Sequence, residues 1–376
     1  MVKNFLKRRT LPLTIIYDMN DTLRHLKVAI ISLVPLSMYP DDSRFSWNIA
    51  LDTEGLYNIS ENRAGWSNLL SAGVRACLWN GASFDVEALS SYGLNVPVAD
   101  DIQGFSNLDA GENRAFRFKT ISLTQEFGDD WKVSAGLRNV DGDYFTSPMT
   151  SFFTGSSYGN FPTLSMNFPL PTFPLSAMGV HVEYSPVEEV VIKESLYNGV
   201  ASDRLDEQFR IVPQSDGFFN IGSLEYVHEV FDNDCEISSA SYTLGYAIGN
   251  PLPADDSGRR LISSIWCSVE QPVASMGDAC LGLLAQGSWS PRPAIGGCDG
   301  YVSAALLWEK DDFATAGLGI NHAFLKETGE TDIELLFGYS FFEYFTISPG
   351  VHFILEDNGR TSVAGLLRLS FEIGNM

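Results

Sequence analysis

Basic side chains recur at alternate positions in three short segments of the chain: Arg75, then Arg117 and Lys119, then Lys132 and Arg138. Each segment carries apolar residues on the opposite parity. Leu70, Ala72 and Val74 flank Arg75, Phe116 and Phe118 flank Arg117, and Val133, Ala135 and Leu137 separate Lys132 from Arg138. Side chains of a strand point alternately to its two faces, so these cations share a polar face. Asp85, Glu87 and Glu183 fall on the polar faces of neighbouring segments. A basic arc facing carboxylates across an enclosed space would set up a transverse field. That arrangement orients and sorts polar solutes and breaks no bonds.

Signals for bond-breaking chemistry are weak. Beyond residue 40 the histidines are His181, His228, His322 and His352, each isolated and none in an H-E-x-x-H pattern. There is no G-x-S-x-G elbow and no G-x-x-x-x-G-K-[ST] phosphate loop. Asn321-His322 would fit a lipid hydrolase of the barrel type only with a serine elsewhere, a reading that activity loss on changing His322 would support. Five cysteines (Cys77, Cys235, Cys267, Cys280, Cys298) form no C-x-x-C pair. One disulfide among the last three is open in an oxidising compartment. No metal and no cofactor is expected.

The cations are positioned by a chain that alternates with period two almost throughout, in segments of about ten residues, the pattern of a transmembrane barrel. Apolar parity shifts by one at Ile121 and Leu123, which predicts a bulge. About sixteen strands are expected, joined by short turns such as Gly128-Asp129-Asp130 at one end and by longer loops at the other. The stretch Trp131–Pro186 stands out. Strand Trp131–Arg138 and strand Met178–Tyr184 are separated by residues 139–177, which hold Phe145, Phe152, Phe153, Tyr158, Phe161, Phe168 and Phe173 among prolines and glycines. A loop this long is functional or disordered, and this one is too aromatic for disorder. Aromatics near strand ends, among them Phe45, Trp47, Trp79, Trp131, Tyr184, Trp289, Trp308, Tyr339, Tyr344 and Phe345, suggest two interfacial girdles. A soluble stack of sandwiches would fill its apolar face with Val, Ile and Leu instead.

Composition supports the same class. Aromatics reach 12% and charged residues only 19%. The net charge of −23 argues against nucleic acid, whose phosphates need clustered Lys and Arg. Residues 1–40 hold six of the 24 basic residues, and Val28–Leu36 is an apolar run behind Arg24, His25 and Lys27. That run is too short to span a bilayer and has the layout of a secretory signal, with Met19 as a candidate true start. The organisation expected is a targeting segment over 1–40 and a barrel over 41–376.

Several stretches resemble the carbohydrate-selective porin (OprB) family of bacterial outer membranes. They are Gln103–Leu108, the run Phe116–Gly136, Asp143–Pro148 continuing through Phe152-Phe153 and Ser156–Gly159 to Phe173–Val180, and the closing hairpin with Ile347–Phe353 and Gly365–Phe371. The likeness covers roughly residues 45–373. It implies a sixteen-stranded barrel in outer-membrane lipid, a narrow central pore, and passive diffusion of small solutes, sugars foremost. Arg138 stands where the family has a basic residue. The chain is short for the family, and it ends Phe371-Glu372-Ile373-Gly374-Asn375-Met376, not on the usual aromatic.

On this reading residues 139–177 fold inward as a constriction loop. The expected pore-lining set is Arg75, Arg117, Lys119, Lys132 and Arg138 from strands, with Asp143, Tyr144 and Phe145, and also Asp141 and Tyr158, from the loop. Aromatic faces would stack on sugars while fixed donors and acceptors replace their hydration. The basic face leaves amino acids and anionic solutes open, and a homotrimer or a monomer would serve. A non-conducting surface barrel, an adhesin or antigen, would keep the loop outside.

Overall fold

The computed structural model describes residues 44–376 except 203, 234, 252–259, 311–312, 342–343 and 376. The expected targeting segment and Met19 lie outside the described residues. Sixteen antiparallel strands follow one another and close into a barrel. They are β1 (Phe45–Asn58), β2 (Arg63–Trp79), β3 (Ala82–Leu94), β4 (Arg114–Phe127), β5 (Trp131–Arg138), β6 (Ala177–Val187), β7 (Val190–Asn198) and β8 (Phe218–Glu229), then β9 (Ser239–Gly249), β10 (Ile262–Ser275), β11 (Ala279–Arg292), β12 (Cys298–Lys310), β13 (Ala314–Leu325), β14 (Gly329–Phe341), β15 (Phe345–Glu356) and β16 (Thr361–Gly374). The seam runs from Asn48 opposite Gly374 to Asn58 opposite Ala364. Phe371 faces outward near its end, opposite Leu51 and Phe345.

The alternation in the sequence separates outside from inside. Leu70, Val74, Leu123, Leu244, Leu318 and Leu335 lie exposed on the outer face, while Glu54, Ser134, His181, Asp332, Glu334 and His352 are buried inside. A soluble protein would invert this. Lipid as the outer solvent rewards the apolar face, and closure pairs the backbone groups that lipid cannot satisfy. Among the described residues no helix is long and apolar enough to cross a membrane.

The expected bulge is present: the β3–β4 register shifts between Glu87 and Ala88, which pair with Thr120 and Phe118. It lets Lys119 reach inward to Glu87, with Nζ and Oε1 2.9 Å apart. Loops 95–113, 139–176, 199–217 and 250–261 all leave the barrel at one end, and most of the turns at the other are short. The aromatics expected at strand ends gather mainly at the short-turn end. There Trp131 stacks on Tyr184 at 4.3 Å, and Phe313 and Phe341 meet Tyr339 edge-on. The long-loop end has a girdle of its own, with Tyr57, Trp66, Tyr92, Phe116 and Trp289 exposed.

The disulfide that the sequence left open does not form; all five cysteines are free. Cys280 pairs with Glu309 near one end of β12, whereas Cys298 begins that strand at the other end, and Cys267 faces outward. His322 points outward, its Nδ1 2.8 Å from Thr331 Oγ1, so its partner is a threonine and not a serine.

Gly136 fixes where β5 leaves the wall. Its φ is +145°, and a Cβ there would lie 2.2 Å from the Ile121 carbonyl oxygen. Gly136→Ala is expected to destabilise the barrel by about 1–3 kcal/mol, read as a lower temperature for loss of the compact band on detergent gels.

Candidate functional site: the lumen and its inward loop

Strand β5 ends because the chain turns into the barrel at Asn139. Arg138 holds the corner, donating to both carboxylate oxygens of Asp143 at 2.8 and 2.7 Å. Asp141 binds the returning arm, accepting from Phe173 N–H at 2.8 Å and from the Thr172 hydroxyl. Between these points loop L3 (139–176) lies against the inner wall. Tyr144 donates to the Ile221 carbonyl and meets Ser195 Oγ at 2.8 Å; its phenol, outside the strands, is raised by burial and stays neutral. Phe145 packs edge-on against Phe161 and Trp266. Phe153 stacks on Tyr158 at 4.2 Å.

Glycines in the wall make this packing possible. A Cβ at Gly317 would lie 3.0 Å from Phe152, and one at Gly319 would lie 2.1 Å from the Tyr158 hydroxyl. Deeper in the barrel Met149 is fully buried, and a Cβ at Gly282 would be 2.6 Å from its methyl carbon. There L3 meets the turn 230–238 from the opposite end, whose Cys235 and Ile237 share one apolar cluster with Met149, Phe153 and Tyr158. The Cys235–Ile237 part of that turn folds inward. Its backbone N–H groups at Glu236 and Ile237 donate to Glu309 at 3.1 and 3.0 Å.

Inner carboxylates hold the loops. Glu330 accepts from the N–H groups of Ile102 and Gln103 in loop L2 (95–113), at 2.8 and 3.0 Å. Glu334 accepts from Thr154 N–H and Oγ1, both at 2.7 Å, and from Gly155 N–H at 3.1 Å. His352 sits between Asp332 Oδ2 (3.0 Å) and Thr154 Oγ1 (3.0 Å). Asp332, Glu334 and His352 are close enough to share a metal ion, as are Asp143, His181 and Glu183. In both groups protein donors already occupy the carboxylates, and in the second Lys132 and Arg138 supply the positive charge. The first group was not singled out from the sequence. Its signal was the spacing of Glu330, Asp332 and Glu334, which puts three carboxylates on one face of a strand.

With that side filled, the polar wall of β1–β5 and the root of L3 bound a cavity of about 270 Å³. Of the expected residues it brings together Arg75, Lys119, Lys132, Arg138 and Asp143, with Ser122, Thr124, Ser134 and Asn139 between them. The carboxylates expected to face the cations lie beside them on adjacent strands. Arg75 pairs with Asp85, Lys119 with Glu87 and Lys132 with Glu183 (3.0 Å), and Lys193, which the sequence reading missed, pairs with Glu225 (3.1 Å). Neighbouring strands are under 5 Å apart, close enough for side chains of opposite charge to meet before either spans the lumen. Five expected pore residues lie outside this lining, Asp141 among them, at the returning arm of L3. Arg117 is buried and donates to the Ser202 carbonyl at 2.7 Å. Tyr144 and Phe145 belong to the apolar packing of L3, as does Tyr158. No aromatic ring lines the cavity among the described residues.

A family model described as carbohydrate-selective porin, OprB family, matches residues 64–372. The chain belongs to this family. Its barrel is similar to OprB of Pseudomonas putida at high pH, with a TM-score of 0.73 and 13% identity over 88% of this chain and 94% of that one. It is also similar to an anion-selective porin from Comamonas acidovorans (0.58, 12%, 88% and 99%) and to Pseudomonas aeruginosa OpdK solved with vanillate (0.51, 10%, 88% and 99%). No curated protein matches in sequence. Family and fold are those of outer-membrane channels for small solutes, and the strand order and inward loop of this porin follow that plan.

Two outcomes follow from the loop's seat. Gly319→Val in this porin should displace Tyr158 and loosen L3, lowering stability by about 1–3 kcal/mol and raising single-channel conductance. Asp101, in L2, accepts from Phe105 N–H at 2.6 Å, and burial raises its carboxyl to about 6. The folded value exceeds the unfolded one, so the charge destabilises the loop's seat progressively as pH rises from about 4 through 6. Asp101→Asn keeps the acceptor; it should slow proteolysis within 95–113 at about pH 7.5 and change little near pH 4.

Proposed function

We propose that small neutral polar solutes, carbohydrates foremost, diffuse passively along the β2–β8 wall. The observation that carries this is the pairing of its cations. Arg75, Lys119, Lys132, Arg138 and Lys193 each lie within hydrogen-bonding distance of a carboxylate. Such a wall offers many donors and acceptors and little net field. Those groups can replace the hydration of a polyhydroxylated solute, whereas an anion gains less from a cation already neutralised. The family description supports the same substrate class. With no aromatic ring in the cavity lining, discrimination rests on hydrogen bonding and size and not on ring stacking.

Liposomes carrying the protein should swell in neutral sugars at rates that fall with solute size, and more slowly in arginine or glutamate. Correctly folded protein that gives neither swelling nor planar-bilayer conductance would sink the proposal. Glu183→Gln leaves Lys132 without its partner and should raise the anion-to-cation permeability ratio about two-fold or more, read from reversal potentials in a salt gradient.

A further inference from the structure

The barrel wall has a notch, and a loop fills it. Strand β4 pairs with β3 as far as Arg114, but with β5 only over Ile121–Phe127. The upper part of β4 therefore has one edge without a strand beside it, because β5 has already turned inward as L3. Loop L4 (199–217) covers that edge. Ser202 forms a bridge to Ser176, and its carbonyl accepts from Arg117 on the inner side. Gln208 Nε2 donates to the Phe118 carbonyl at 2.8 Å, and Ser176 Oγ donates to the Lys119 carbonyl at 2.7 Å. Both acceptors are edge carbonyls that β5 would have satisfied. One residue further on, Phe209 meets the outward-facing Phe118 edge-on, with ring centroids 6.2 Å apart. The segment thus crosses from the lumen side to the outer side.

L4 exposes three large apolar side chains in this stretch: Leu205 (46%), Phe209 (47%) and Ile211 (64%). Phe209 joins the outer belt through Phe118 and the exposed Phe116. The charges of the segment are used within it. Arg204 pairs with Asp206, and Arg210 with Asp216, so L4 presents no surplus of cations to a phosphate. The exposed Arg204–Asp206 pair needs water or headgroups, while the three apolar side chains need hydrocarbon. Both needs are met at the boundary between the two.

We propose that L4 is an interfacial anchor. Its Leu205, Phe209 and Ile211 contact lipid acyl chains just below the headgroups of the outer leaflet, and the loop stands in for the wall that β5 vacates. The continuity of this patch with the lipid-facing belt selects acyl chains over a protein partner as the occupant. This assignment is independent of which solute the lumen carries.

The test is nitroxide accessibility in phosphatidylcholine vesicles. Cysteine is introduced singly at Leu205, Phe209 and Ile211 in a background where the exposed Cys77 and Cys267 are serine. Ile211, the most exposed of the three, is the position least able to disturb folding. Glu112→Cys serves as the aqueous reference and Leu123→Cys as the belt reference. Retention of the compact band on detergent gels checks the fold of every variant. Oxygen access well above nickel-chelate access at 209 and 211, on the side of Leu123, is the expected result. Chelate access matching that at Glu112 would overturn the proposal. Protection from both reagents would also overturn it, by showing a second protein surface over the patch.

Discussion

A loop drawn into a barrel brings backbone N–H groups into a place with little water, and each needs an acceptor. The inner wall supplies carboxylates. Glu330 receives L2, Glu334 receives the Thr154–Gly155 corner of L3, and Glu309 receives the turn at Glu236 and Ile237. Glu54 accepts from the Ser106 hydroxyl while bound to Arg368 at 2.7 Å. A carboxylate suits this work because it accepts several bonds at once, and N–H dipoles aimed at it stabilise its charge. The acidic balance of the chain is therefore partly structural. Acids outnumber bases because loop backbones, as well as cations, need anionic partners.

The same constraint divides the lumen. On β10–β15 the wall is carved for packing: glycines admit aromatic rings, and buried acids tie down the backbone between them. On β2–β8 the wall keeps long charged side chains in contact with their neighbours and leaves space beside them. Selectivity and fixation therefore draw on the same residue types. What separates them is whether the acid's partner is a backbone amide or a lysine or arginine side chain.

Much of this was legible. Period-two alternation gives the strands because lipid outside and polar lumen inside impose opposite demands on successive residues. The parity slip at Ile121 marked the bulge that turns Lys119 inward, and the aromatic density of 139–177 marked a loop that must be covered. The destinations of individual side chains were not legible. Tyr144 and Phe145 read as pore residues because nothing in their order reveals that Ser195, Ile221 and Trp266 wait for them. Arg117 has the parity of a lumen cation, but the short β5 exposes the β4 edge and so brings L4 over it. The carboxylate spacing at Glu330, Asp332 and Glu334 was visible, but its purpose depended on backbone donors from loops more than 170 residues away.

Met149 and Ile237 meet inside the barrel beside Gly282, toward the short-turn end, after approaching from its opposite ends. Neither segment can withdraw without uncovering apolar surface on the other, so the two belong to a single cooperative unit. Seating the turn of the β8–β9 hairpin therefore depends on L3 being inside the barrel, and seating L3 depends on that turn. The plug is thus closed from the short-turn end, where β1 begins and β16 ends.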